Sequence, residues 1–383
     1  MNNILKEISY KNIKSKNILQ YIFTYLTENK LLQIVKYNKN IQKELEKDIN
    51  DYKNYKKVII DIIPINNEDK NYFIKYKKEE KKYYHIYFND EKEEKLKNYF
   101  TEDENVTKIK IIIDEQIKSF EKLFYNCECI EKINFIKFNR KDINNMSKMF
   151  KECSSLKELN LNNFNTNNVT DMSDMFSCCS SLKELNLNNF NTNNVIDMNF
   201  MFYDCSSLKE LNLNNFNTNN VIDMSGMFYK CVSLKGLYLN NFNTSNVTKM
   251  TGMFRDCFPI KELNLINFNT NNVTDMRYMF SGCSSLKDLN LNNFNTNNVT
   301  DMSDMFSFCF SLKELNLNNF NTNNTTKMSR MFWECSSLKE LNLNNFNTNN
   351  VTDMYYMFSG CSDELKNKIK NLNLNIKEDA FYN

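Results

Sequence analysis

At 383 residues with 41% hydrophobic content, the chain is long enough for a repeat array plus a small domain, and it has ample apolar material for a core. The 49 Lys+Arg nearly balance the 47 Asp+Glu, and the net charge of +2 argues against general nucleic-acid binding, which draws on a strong basic excess. One His leaves Ser-His or Cys-His catalysis a single candidate, and no P-loop, GxGxxG, HExxH or nucleophile elbow occurs, so the expectation is a non-enzyme with no cofactor and no metal.

Residues 1–50 read as a helical N-terminal module. In the stretch from Ser15, Ile18, Ile22 and Leu26 share a helical face, and Leu31, Ile34 and Val35 follow after Thr27-Glu28-Asn29. No apolar core of a secretory leader is visible near the start, and no run of roughly 18 apolar residues occurs. The expected location is therefore cytoplasmic, with a surface or secreted protein as the alternative.

Residues 51–104 read as a small α+β region. Strand-like runs are Lys57–Ile63, Tyr72–Tyr76 and Tyr83–Phe88, rich in β-branched and aromatic residues, and a helix is predicted around Glu91–Phe100. The lone His85 lies in one of these runs, where a structural role is the expectation.

Residues 105–361 are a tandem repeat. Met-Phe recurs at 149, 175, 201, 227, 253, 279, 305, 331 and 357, always 26 residues apart. A fixed period of this size marks a stacked architecture and outranks any local assignment. Within Leu182–Cys205, Leu185 and Leu187 have the period of a short strand, and Asn191–Asn194 supply turn chemistry. Met198, Met201, Phe202 and Cys205 then fall at i, i+3, i+4, i+7, which predicts one to two turns of helix. Thr170-Asp171 is the expected cap of such a helix in the preceding copy. Residues 105–128 read as a degenerate first copy: Ile109, Ile111 and Ile113 as strand, with Ile117, Phe120, Leu123, Phe124 and Cys127 on a longer helix.

The predicted fold is an α/β solenoid, a right-handed superhelix with one short parallel strand and one short helix per repeat. Rungs stack at about 4.8 Å on the strand side, and the wider helices should curve the sheet into a concave face. Ten of the 12 Cys occupy one column, from Cys127 to Cys361, and read as a ladder of buried reduced thiols; disulfides between neighbours or a metal are the other readings. Residues 362–383 read as a C-terminal cap, with Ser362 or Asp363 opening a helix that turns Leu365 and Ile369 inward.

The run MFxxC followed by SLKELNLNNFNTNNVT, over about Ile130 to Cys361, resembles the BspA-like leucine-rich repeat family. That resemblance implies a solenoid that binds proteins or surfaces, often displayed outside bacterial cells; the missing leader departs from it. The N-terminal stretch is also similar to an F-box, with FTYL at 23–26, a short break and LLQIV at 31–35, although the usual Leu-Pro opening and later Trp are absent. An F-box would imply a substrate adaptor docking a ubiquitin-ligase core; the other reading is a plain helical cap or docking module.

Repeat positions that vary between copies are those the packing leaves free. One such column runs Asp174, Phe200, Gly226, Gly252, Tyr278, Asp304, Arg330, Tyr356; another runs Ser177, Tyr203, Tyr229, Arg255, Ser281, Ser307, Trp333, Ser359. Aromatics and Arg are enriched at binding hot spots. Phe200, Tyr203, Tyr229, Arg255, Tyr278, Arg330, Trp333 and Tyr356 are therefore the expected surface for a protein partner, against neutral drift at unconstrained positions. The uniform Asn array has two readings: a face for a repeating ligand such as a glycan, or side chains bonded to one another along the stack.

Overall fold

In the computed structural model, which describes residues 28–37, 39–45, 47–66, 69–372 and 374–382, the period of the sequence is the period of the fold. Parallel bridges join residues one period apart, from Ser119↔Asn145 through Asp171↔Asp197 to Lys327↔Asp353. Each 26-residue coil is one rung of a stack.

The described chain opens with α1 (Glu28–Tyr37), α2 (Lys39–Leu45) and α3 (Ile49–Lys56). α3 begins in a capping box: Asp48 accepts from the N–H groups of Asn50 and Asp51, and the Asp51 carboxylate accepts from Asp48 N. Ile18, Ile22 and Leu26, the first half of the F-box-like stretch, lie outside the described residues.

Strands β1 (Val58–Pro64), β2 (Asn71–Tyr72), β3 (Tyr84–Phe88), β4 (Tyr99–Phe100), β5 (Ile109–Ile113), β6 (Ile130–Phe138) and β7 (Glu158–Asn160) follow. One sheet has the order β3-β5-β1-β6-β7. β1 is antiparallel to both β5 and β6, while β6 is parallel to β7 with Ile133 opposite Leu159. β6 is thus the strand at which antiparallel pairing hands over to the parallel ladder of the repeats. The run at Tyr72–Tyr76 forms only the two-residue β2. Its continuation bonds elsewhere, with Phe73 N donating to Asn98 O and Lys75 N to Leu123 O. The helix predicted around Glu91–Phe100 is absent. Asn89 and Asp90 take left-handed conformations that turn the chain back, and Lys95 N donates to Ile86 O at 2.7 Å.

Beyond β7 the short strands β8 (Glu210–Asn212), β9 (Gly236–Tyr238), β10 (Glu262–Leu263), β11 (Asp288–Leu289), β12 (Glu314–Asn316) and β13 (Glu340–Asn342) pair in parallel, with Leu263 opposite Leu289 and Leu315 opposite Leu341. The Val, Met, Phe and Cys columns are buried in the core, as at Val195, Met198, Met201, Phe202 and Cys205, with Thr325 in place of Val in one rung. Phe rings stack rung upon rung: Phe150, Phe176, Phe202, Phe228 and Phe254 lie 5.6–5.8 Å apart and within 11° of parallel.

The predicted helix in each repeat is not there. The Met-Phe segment is a run of turns in which N–H groups alternate between two kinds of partner. Met175, Ser177 and Cys179 donate three residues back, to Met172, Asp174 and Phe176. Asp174, Phe176 and Cys178 donate to Asn199, Met201 and Tyr203 of the next rung. An α-helix would spend these N–H groups within itself and, at roughly 10 Å across against a strand spacing of about 4.8 Å, would splay the rungs on this side. The turn run keeps one N–H in two for its neighbour and matches the strand side. The longer helix expected over Ile117–Cys127 fails for the same reason, since Phe120, Lys122 and Phe124 donate to Asn145, Ser147 and Met149. With no helix to widen one side, the basis for a helix-driven concave arc is gone as well. Thr170 is not a helix cap: its hydroxyl donates to Asn144 O, and the Asp171 carboxylate accepts from Ser173 N to open the turn.

α4 (Asp363–Lys370) closes the repeat run. Ser362 is its cap, accepting from Leu365 N, and Leu365 and Ile369 are buried, as predicted.

Candidate partner-binding surface

The frame beneath the variable columns is held by side chains that repeat without change. From Cys153 to Cys361 each column Cys donates its S–H to a Phe carbonyl in the preceding rung, as Cys179 to Phe150 O and Cys205 to Phe176 O, both at 3.1 Å. Burial pushes these thiols up, to about 12 at Cys231 and Cys283. The Thr of NTNN is buried and bridges rungs: Thr192 Oγ1 donates to Asn217 O and accepts from Asn217 N, both at 2.8 Å. Sequence reasoning took this Thr for turn chemistry; its invariance in a polar stretch was the available signal. The Asn side chains bond within and along the stack. Asn191 Oδ1 accepts from Asn193 N, Asn217 Nδ2 donates to Asn193 Oδ1 and Asn194 Nδ2 donates to Asn167 O. The array therefore works as structure.

The column of Phe200, Tyr278, Arg330 and Tyr356 is a left-handed position in every rung, with φ between 51° and 59° at these four residues. Glycine occupies it at 226 and 252, where the strain vanishes. Gly226 has a second reason to lack a side chain: a Cβ there would lie 2.2 Å from Cε1 of Phe200, whose ring covers it. Seven of the eight residues expected to face a partner are half-buried, and Arg330 is exposed.

The structure gathers these residues into two patches. In the first, Phe200 meets Tyr203 edge-on at 5.8 Å, and Tyr203 lies 5.0 Å from Tyr229. The Arg255 guanidinium then sits between Tyr229 at 4.9 Å and Tyr278 at 4.6 Å. Its Nε is buried without a hydrogen-bond partner and lies 3.8 Å from the Asp256 carboxylate, so the two rings and that charge hold it. In the second, Arg330 lies over Trp333 at 5.4 Å, and Tyr356 is 4.0 Å from Tyr355. Between the patches lie small residues: the Ser281 and Ser307 hydroxyls bond at 2.8 Å, and Asp304 is buried, its carboxyl pushed up by that burial against the pull of Arg330 and Arg255.

Three participants were missed. Lys230 lies 5.5 Å from the Tyr229 ring, and Phe308 lies 4.5 Å from Trp333. Both belong to the second left-handed column, which varies as freely as the first and was legible in the same alignment. Tyr355 is the third. His85, outside the stack, lies between Glu94 at 3.1 Å and Asp114 at 3.3 Å. Among the described residues no group of three His, Cys, Asp or Glu is placed to hold a metal ion, and no helix is long and apolar enough to cross a membrane.

A family model described as "Mycoplasma protein of unknown function, DUF285" matches residues 118–235, 208–307 and 259–372. No curated protein matches the chain. Among solved structures, TLR13 in its complex with ssRNA13 is similar over 53% of this chain at 20% identity and a TM-score of 0.29; the chain covers only 28% of that protein's length. A leucine rich cell surface protein of Faecalibacterium prausnitzii A2-165 is 15% identical over 58% of this chain and 75% of its own, with a TM-score of 0.24. A leucine-rich repeat protein of Eubacterium ventriosum ATCC 27560 is 14% identical over 58% of this chain and 82% of its own, with a TM-score of 0.23.

Proposed function

This chain belongs to the family described as Mycoplasma protein of unknown function, DUF285, and we propose that it is a non-enzymatic protein-interaction scaffold. The observation that carries this reading is the stripe of rings and guanidinium groups on a frame whose inward columns barely change: Phe200, Tyr203, Tyr229, Arg255 and Tyr278 in one patch, Arg330, Trp333 and Tyr356 in the other. Aromatic and Arg side chains held by mutual stacking lose little freedom on binding, which is the physical character of a hot spot. In this reading the stack is a right-handed leucine-rich-repeat solenoid of BspA-like type, inside the cell, and the stripe meets one protein partner.

The column of Tyr229, Arg255 and Trp333 has no left-handed residue, so substitution there leaves the backbone frame alone. Replacing all three by Ala is expected to abolish recovery of the cross-linked native partner while the melting curve keeps its midpoint. Undiminished recovery would sink the proposal.

A further inference from the structure

From Thr166 to Thr322, one threonine per rung donates its hydroxyl to an Asn carbonyl of the next rung at 2.7–2.9 Å. The same column continues at Thr348. There the rung is followed by α4 and the segment 374–382, and the Thr348 hydroxyl is buried with no partner.

The segment 374–382 imitates a rung on one side. Tyr356 N donates to Asp379 O at 3.0 Å and Phe358 N to Ala380 O at 2.8 Å. These copy the bonds from Arg330 N to Tyr355 O and from Phe332 N to Met357 O, both 2.9 Å. Phe381 stacks on Phe358 at 5.4 Å, as Phe358 stacks on Phe332 at 5.5 Å, and Ala380 is fully buried. The imitation stops there: besides Thr348 Oγ1, Asp379 Oδ1 is buried without a partner. Unmet buried polar atoms weaken a contact, and a further rung in register would give Thr348 the carbonyl partner that its counterparts from Thr166 to Thr322 have.

We propose that the last rung, at Phe346 and Thr348, is a docking edge for a further rung-like segment, and that residues 374–382, bonded to the same rung at Tyr356 and Phe358, hold it shut. The occupant is defined by what the equivalent threonines bind. It is an extended segment of Phe-Asn-Thr type, from a partner carrying the same repeat. Its Asn N–H and C=O would meet Thr348 Oγ1, and its ring would stack on Phe346 as Phe190 does on Phe164 at 5.8 Å.

The test uses the full chain and a labelled synthetic peptide with the sequence of residues 182–205. Ala380→Glu puts a charge where no space exists and should lift the segment. The peptide is expected to bind this variant at least about tenfold more tightly than wild type, because the competent state no longer has to be freed first. Adding Thr348→Val should remove the gain. Equal affinity for wild type and Ala380→Glu, no binding by either, or indifference to Thr348→Val would each overturn the proposal. So would a dimer of Ala380→Glu that the peptide does not dissociate, since a second copy would then own the edge. Wild-type hydrogen exchange gives a check that needs no variant: the Tyr356 and Phe358 amides should exchange faster than those of Arg330 and Phe332, and slow on adding peptide. Equal rates would refute a segment that opens.

Discussion

One hydroxyl per rung ties two backbones together, and its removal should be felt far beyond its size. Thr244 Oγ1 donates to Asn269 O and accepts from Asn269 N, both at 2.7 Å. Thr244→Val strands both Asn269 groups and is expected to cost about 2–4 kcal/mol in urea unfolding. Thr348→Val, where nothing is bonded, should leave stability unchanged or raise it. The thiols make a second residue-scale prediction. Their folded values are raised by burial, to about 12 at Cys231 and Cys283, from an unfolded value near 9. The folded state then holds protons that the unfolded state has released. Stability should be intact below pH 9 and fall progressively between pH 9 and about 12, measured by denaturant midpoint against pH. Alkylation of native protein at neutral pH should reach half-buried Cys178 first and the column only on unfolding.

The turn run that replaces the expected helix is the element on which the surface depends. Met198, Met201, Phe202 and Cys205 carry helical spacing, and all four are buried. That spacing describes which side chains point inward, and a run of turns with two left-handed residues four positions apart buries the same set. Inward pattern alone does not separate the two. What separates them is where each N–H goes, which depends on a neighbour 26 residues away. Gly226 tests the element. Gly226→Ala adds a left-handed Cβ against the Phe200 ring and should cost about 1–2 kcal/mol in the melting analysis. It should also displace Phe200 and weaken partner capture by the first patch while leaving the Trp333 patch intact.

The stack as a whole owes its stability to contacts between successive rungs, so it should tolerate loss of one whole rung and not of a fraction. Deleting residues 208–233, one full period, joins Ser207 to Leu234 and restores every column. Circular dichroism is expected to show the same cooperative unfolding at a slightly lower temperature. Deleting 208–231 instead shifts all later inward columns by two residues, and the protein should fail to fold.

Repetition was enough to make the stack readable from the residues alone. No single copy can hide its Leu, Met and Phe side chains, so 26-residue modules had to pile up with like beside like, and the closing helix at Ser362 follows from its cap and its two apolar residues. The variable columns were legible too, because packing leaves free whatever it does not bury. Three matters were decided only in three dimensions. The Met-Phe segment became turns because every second N–H there bonds the next rung. The Asn and Thr side chains became ties because a neighbouring backbone lies within reach. The stripe split into two patches because Ser281, Ser307 and Asp304 fall between them. Each depends on distances between residues a full period apart, and periodicity fixes which residues meet without fixing how.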